Sequence, residues 1–236
     1  MMFVTKYLLH IWLDAAAEKN RTLSSYVEPD NEIKILDLGC SNGDIVLERI
    51  AKKINNPQLY GLDIDTQSIK LARKRGIRVT VSNADKRFPY TDNTFHLIGA
   101  NQLIEHLNNT DQFLEEIFRV LKPGGYLLLS TENLASWHNI VALVFGWHPF
   151  SLHASDINNV GNPLRLGKMQ DVPLHTRHRK IFTLKSLIDV VKLHHFVVER
   201  WFGTGYYPLP PLLAHIMSGI DSRHAAFIGL KARKPK

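Results

Sequence analysis

The sequence predicts an α/β fold built on a doubly wound, mainly parallel sheet. Two observations predict it. Short β-branched runs alternate with helical periods along most of the chain, the pattern of successive βαβ units. The first of these runs also ends in an acidic residue and a glycine turn that opens a helix, Asp37-Leu-Gly-Cys-Ser-Asn-Gly43. Open α/β sheets place their ligands at such strand tips.

The elements follow in order. Residues 3–20 put Phe3, Tyr7, Leu8, Ile11 and Trp12 on one side of an N-terminal helix that ends before the polar stretch Asn20 to Asn31. Ile33–Leu38 is a strand. Residues 43–54 are a helix stopped by Asn55-Asn-Pro57. Leu59–Ile64 is the second strand, Thr66–Arg75 a helix ended by Gly76, and Val79–Val81 the third strand. Phe95–Ala100 is the fourth strand. Asp111–Leu121 is a helix with Phe113, Leu114, Ile117 and Val120 on its buried face. Pro123-Gly-Gly125 reads as a turn and Tyr126–Ser130 as the fifth strand. Thr183 is placed to cap a helix over 183–193. Phe196–Trp201 and Ala226–Lys231 are the closing strands.

A chain of 236 residues, 44% hydrophobic and 22% charged, suits one globular domain. We divide 1–236 into a helical extension (1–31), a ligand-binding half (33–133) and two insertions (134–181 and 203–224) expected to cap an acceptor site. Insertions of that length are functional more often than not. The single cysteine, Cys40, excludes an internal disulfide and the cysteine-rich zinc sites. Lys6, His10 and Asp14 interrupt the apolar start, and no run of about 18 uncharged apolar residues appears. Cytoplasmic placement is the expectation. Peripheral membrane contact through 139–150 or 208–216 is a second reading, against that of a self-packed cap.

The formal charge of +7 is uneven. Residues 175–236 hold 11 Lys/Arg and 3 Asp/Glu, so +8, and the remainder is −1. The plain reading is a solvated surface with a frayed basic end, Lys231 to Lys236. The alternative is an RNA partner, although no RNA-binding module is recognisable. Oligomeric state is not legible.

The strand tips describe a ligand. Gly39 lets the chain turn and a ligand approach the backbone, and Gly43 opens a helix toward the cleft. The loop lacks the second glycine that makes room for a pyrophosphate. Asp37 suits a cationic amino group. Asp63, 24 residues after Gly39, can accept from both ribose hydroxyls, and Asp85 from an adenine amino group. A ribose, an adenine and a cationic amino acid without pyrophosphate describe S-adenosylmethionine.

On these residues the chain resembles the class I S-adenosylmethionine-dependent methyltransferases, in the branch of quinone-biosynthesis and other small-molecule enzymes. The likeness rests on Ile35–Gly43, Gly61–Asp65, Asn83–Asp85, Phe95–Ile98, Gln102–Leu107 and Arg119–Gly125, in that order. Ser41 stands where the usual pattern has a middle glycine. The resemblance implies a Rossmann-like sheet of seven strands, Ala226–Lys231 antiparallel. It implies cofactor contacts at Asp37, Gly39, Ser41, Gly43, Asp63, Ile64, Asp85, Asn101 and Gln102. The implied activity is methylation of a small-molecule acceptor, with a hydroxyl on a hydrophobic or sugar-like scaffold as the expected target. The rival readings are an RNA methyltransferase and a non-catalytic S-adenosylmethionine-binding module.

His106, just after the fourth strand, is the expected base, with Glu105 and His178 in support. The same three residues resemble the metal-binding element of metal-assisted O-methyltransferases. Gln102 replaces one of that element's carboxylates, so a divalent metal is not the favoured reading. The histidines at 138, 148, 153, 175, 194 and 195 are assigned to the surface or a lid.

Overall fold

The computed structural model describes residues 2–50, 53–164, 173 and 176–236. His175 lies outside them. The chain begins with helix α1 (Met2–Ser25). It continues through β1 (Asp30–Asn31), β2 (Lys34–Leu38), α2 (Asp44–Ile50), β3 (Ile54–Asn55), β4 (Gln58–Asp63), α3 (Ser68–Lys74) and β5 (Arg78–Val81). Then come β6 (Phe95–Asn101), α4 (Thr110–Val120), β7 (Leu121–Glu132) and α5 (Trp137–Val144). Helix α6 (Leu184–Leu193), β8 (Val197–Thr204), α7 (Pro211–Ile220) and β9 (Phe227–Arg233) close it.

Seven strands form one sheet in the order β5-β4-β2-β6-β7-β9-β8. β9 runs antiparallel to both β7 and β8, and the other pairs are parallel. Strand order reverses between β2 and β6, which makes a crevice at their carboxyl tips. The central stretches of β6 and β7, covered on both faces, read as apolar runs such as Leu127-Leu-Leu129. One face packs Phe95, Phe113, Leu114, Ile117 and Leu187 from β6, α4 and α6. The other packs Leu23, Ile35, Val46, Ile69 and Leu128 beneath α1, α2 and α3.

The helix starts follow local chemistry. Asn109 caps α4 by accepting from the Gln112 amide, and Thr183 and Ser186 form a reciprocal capping box on α6.

Several boundaries differ from expectation. α1 continues past Asn20 because Leu23 inserts fully into the core, while the Thr22, Ser24 and Ser25 hydroxyls bond back to carbonyls of their own helix. Pro123-Gly-Gly125 is not a turn between separate elements. It is an irregularity within β7, where register shifts between the Phe95 and Leu97 pairings. The short parallel pair β1–β3 carries no periodic signal. The basic end is not frayed. Lys231 and Arg233 lie in β9 and both pair with Glu28 and Glu199, while Lys234 donates to Asn93 Oδ1 and to the Phe118 and Leu121 carbonyls.

The insertions fold onto each other. Asn133 donates to the carbonyls of Arg223 and Ala225, and Asn139 donates to Asn133 O and Ser151 Oγ. α5 and α7 nevertheless turn Val144, Phe145, Leu212 and Ile220 outward. No helix among the described residues is long and apolar enough to cross a membrane.

Beneath the first glycine loop, Asp37 of β2 faces Arg49 of α2 at 3.6 Å, both buried. Among the described residues Arg49 Nε and Nη2 have no further partner. Removing one side of a buried pair leaves the other charge uncompensated. Asp37→Ala is therefore expected to lower unfolding free energy by about 3–5 kcal/mol, and adding Arg49→Met to recover most of it. Urea denaturation of the three proteins checks this.

Candidate active site

An open cleft of about 810 Å³ lies beyond the carboxyl tips of β2, β4, β5 and β6, a volume suited to a small ligand. Gly39, Ser41, Asp63, Ile64, Asp85 and Gln102 line it, and His106 stands on its wall. Six of the nine expected cofactor residues thus share one cavity. Gly39 turns the chain at φ +68°, a conformation favouring glycine. Ser41 donates its amide to Asp63 Oδ2 (2.7 Å), and Asp65 donates its amide to Asp63 Oδ1 (2.8 Å). The Asp63 carboxylate is thereby held at the cleft edge with lone pairs remaining. Asp85 accepts from the amides of Asn108 and Asn109 and from Asn108 Nδ2, so it also pins the loop after His106.

The other three expected contacts sit differently. Asp37 is behind the loop, facing Arg49, and burial pushes its carboxyl up to about 6 despite the guanidinium. Gly43 does not line the cleft. Its glycine identity answers to the backbone, which turns there at φ +82°. Asn101, at the tip of β6, accepts from Ser130 Oγ (2.6 Å) and reaches Asn20 Oδ1 (3.5 Å).

The chain after β6 tightens into a 3-10 turn, Ile104–His106. Ile104 fills the core and thereby buries Glu105 next to it. Glu105 Oε2 accepts from Thr131 Oγ1 (2.9 Å), while Oε1 is buried with no hydrogen-bond partner among the described residues. The Glu105 carbonyl accepts from the amides of Arg179 and Lys180, which brings the far end of the first insertion to the site. His178 is thereby set with its ring centre 4.9 Å from that of His106. His178 Nδ1 lies 2.8 Å from the Ser151 carbonyl, which favours the proton on that nitrogen and leaves Nε2 as the acceptor.

Ligand atoms of Glu105, His106 and His178 all lie within 4.8 Å of one another. The three could hold a divalent ion. Two imidazoles and one carboxylate suit a transition metal better than magnesium.

Three of the histidines assigned to the surface or a lid are half-buried within the first insertion. Half-buried His138 packs on Phe150 and Tyr207, and burial pushes it down to about 4. His153 packs edge-on against His178, and His148 is half-buried under Gly161. His194, by contrast, pairs with Asp111 at the surface.

Sequence reasoning missed Lys19, Asn20, Arg49, Thr131 and Ser151. Lys19 alone left a signal. It falls on the four-residue row Ile11, Ala15, Lys19, Leu23, otherwise apolar and buried throughout.

A family model described as a methyltransferase domain matches residues 29–164. The chain belongs to that family. Its members are class I S-adenosylmethionine-dependent methyltransferases, and S-adenosylmethionine is the family's cofactor. Similar curated proteins include the mitochondrial ubiquinone biosynthesis O-methyltransferase of Rattus norvegicus, 27% identical over 50% of this chain and 36% of the relative. The demethylmenaquinone methyltransferase of Chlorobaculum parvum is 30% identical over 48% of this chain and 46% of the relative. The matches thus span less than half the length of these two relatives. Among solved structures, an S-adenosylmethionine-dependent methyltransferase from Mesorhizobium loti shares the fold. Its TM-score is 0.59 at 16% identity, over 90% of this chain and 96% of that one. The Haemonchus contortus phosphoethanolamine N-methyltransferase 2, in complex with S-adenosyl-L-methionine, aligns with TM-score 0.61 at 16% identity, over 93% and 53%.

The methyltransferase cleft fits its family's cofactor. Asp63 offers oxygens at its edge, and Gln102 Nε2 is a buried donor without a partner among the described residues.

Glu105 also sets a pH dependence. Burial pushes its carboxyl up to about 7, against the pull of His178. An unfolded glutamate titrates near about 4.3, so between those values the folded chain keeps a proton that the unfolded chain has lost. This group's contribution to stability is thus fully present at the acid end and falls as pH rises through that window. Glu105→Gln is expected to flatten the fall, most visibly between about pH 5 and about pH 7.5. Urea midpoints of both proteins across that range check it, and parallel curves would refute it.

Proposed function

We propose that this methyltransferase-family chain methylates a hydroxyl of a small-molecule acceptor on a hydrophobic or sugar-like scaffold. One observation carries the reading. His106 stands on the wall of the cleft that holds Asp63 and Gln102, with Glu105 beside it and the His178 ring packed against its own. A base next to a cofactor cleft is useful when the acceptor atom must lose a proton, as a hydroxyl must.

When bound, S-adenosylmethionine supplies an electrophilic methyl group on sulfur. Asp63 would accept from the ribose hydroxyls, and Gly39 and Ser41 line the cleft beside it. Asp85 and Gln102 offer polar contact further along the cleft. His106 takes the hydroxyl proton. Pro173, Thr176 and Arg179 from the first insertion close one side of the cleft, which supports positioning of the acceptor and exclusion of water.

Should Glu105, His106 and His178 hold a divalent ion, it would polarise the acceptor oxygen. The RNA reading draws less from the basic end, because Lys231, Arg233 and Lys234 are engaged in ion pairs and hydrogen bonds. Location in the cytoplasm remains our reading of the sequence.

Two variants test the reading. Asp63→Asn is expected to weaken S-adenosylmethionine binding by about tenfold to a hundredfold, the worth of hydrogen bonds to a charged group. Calorimetry measures it, and a wild-type dissociation constant would overturn the assignment. His106→Ala is expected to lower kcat by about 10²–10⁴ while cofactor affinity stays within about twofold. A tritiated-methyl assay over small-molecule extracts measures turnover, run also on chelator-treated wild type. Turnover that survives chelation makes His106 a base, and turnover restored only by added metal makes it a ligand.

A further inference from the structure

α1 carries a lysine where its spacing calls for an apolar side chain. Lys19 is only 4% exposed. The helix crosses the carboxyl tips of the sheet, and Lys19 stands between fixed points on it. Ala15 and Ala16 pack on Phe227, Asn20 meets Asn101 at the tip of β6, and Leu23 enters the core beside α2. The Lys19 ammonium lies 4.9 Å from the centre of the Phe227 ring. Phe227 sits opposite Glu132 at the tip of β7 and opposite Thr204 at the tip of β8.

Lys19 is nearly enclosed, and no group among the described residues accepts a hydrogen bond from it. Among the described residues Nζ makes no hydrogen bond or ion pair beyond its approach to the Phe227 ring. Glu105 and Glu132 attract it from a distance and Arg49 repels it. Burial brings it down to about 8, so it is mainly protonated near neutral pH. If Lys19 were only a counter-charge for Glu105 or Glu132, it would pair with one of them.

Other unpartnered groups gather around the same tips. Tyr207 packs in the Ala15–Phe227 cluster, and its hydroxyl is buried without a partner among the described residues. Thr204 Oγ1 is in the same state. A cation and two hydroxyls, all able to donate and none engaged, form a place for an oxygen carrying negative charge.

We propose that Lys19 and Tyr207 form the acceptor's anionic-oxygen subsite, which receives a small aromatic or enolic molecule with its acidic hydroxyl ionised. This rests on the methyl-transfer reading and narrows its acceptor to phenol-like or enol-like hydroxyls. An ammonium beside an acidic hydroxyl favours the ionised oxygen over the protonated one. It also orients that oxygen over the tips of β6 and β7, next to the cofactor cleft.

The test uses the full chain bound to S-adenosylhomocysteine, with 4-nitrocatechol as the probe, because its absorption reports its own ionisation. At a pH where the free probe is mainly protonated, the wild-type complex is expected to show the ionised spectrum. Lys19→Met is expected to lose that spectrum and to weaken probe binding by about tenfold or more, whereas Lys19→Arg retains the spectrum. Calorimetry on the same samples is expected to give one S-adenosylhomocysteine affinity for all three proteins, which shows that the methionine variant is folded. An ionised spectrum that survives Lys19→Met overturns the proposal, as does a wild type that leaves the probe protonated or unbound. A wild type that fails to bind S-adenosylhomocysteine overturns the methyl-transfer reading and the subsite with it.

Discussion

Glu105 is buried at the tip of a central strand, and much of the site is organised by that single constraint. A carboxyl withdrawn from water must be neutralised, hydrogen-bonded or both. One oxygen is met by Thr131 of the neighbouring strand, and the backbone carbonyl collects two amides from the far end of the first insertion. Those amides set His178 beside His106. The field of the same carboxylate reaches Lys19 on α1. Four separated stretches of sequence thus meet around this one residue.

The cofactor half depends on a different device. The strand tips present backbone and acidic oxygens because the sheet order reverses between β2 and β6, and the loops there turn away from each other. Asp63 is held from both sides by amides rather than left to swing. Preorganisation of that kind removes part of the entropy that a ligand would otherwise lose on binding. Asp37 does another job. It balances Arg49 under the loop, so the acidic residue that begins the motif supports the floor rather than facing the ligand cleft.

The cap is held by polar side chains more than by a core of its own. Asn133, at the entrance to the first insertion, holds the end of the second, and Asn139 ties the first insertion to Asn133 and to its own Ser151; each buried amide would be costly to leave unpaired. The outer faces of α5 and α7 stay apolar and exposed. The inner side carries His138, whose ring packs on Tyr207, and His153, whose ring packs on His178.

Strand alternation, the glycine turn after β2, the acidic tips at Asp63 and Asp85, and the grouping of Glu105 with His106 are all legible along the chain. These are local features: a period of two or 3.6, a residue allowed at positive φ, a side chain at a strand end. The sequence also indicated His178, though not what brings it in. Only the tertiary structure decided that Asp37 pairs with Arg49, that the basic end closes β9, and that His138 and His153 face inward. Lys19 is the sharpest case. Its row on α1 was visible, but a helix has no inside until the sheet tips are beneath it. Burial, and with it the cost of a bare charge, belongs to contacts between distant segments that no local pattern contains.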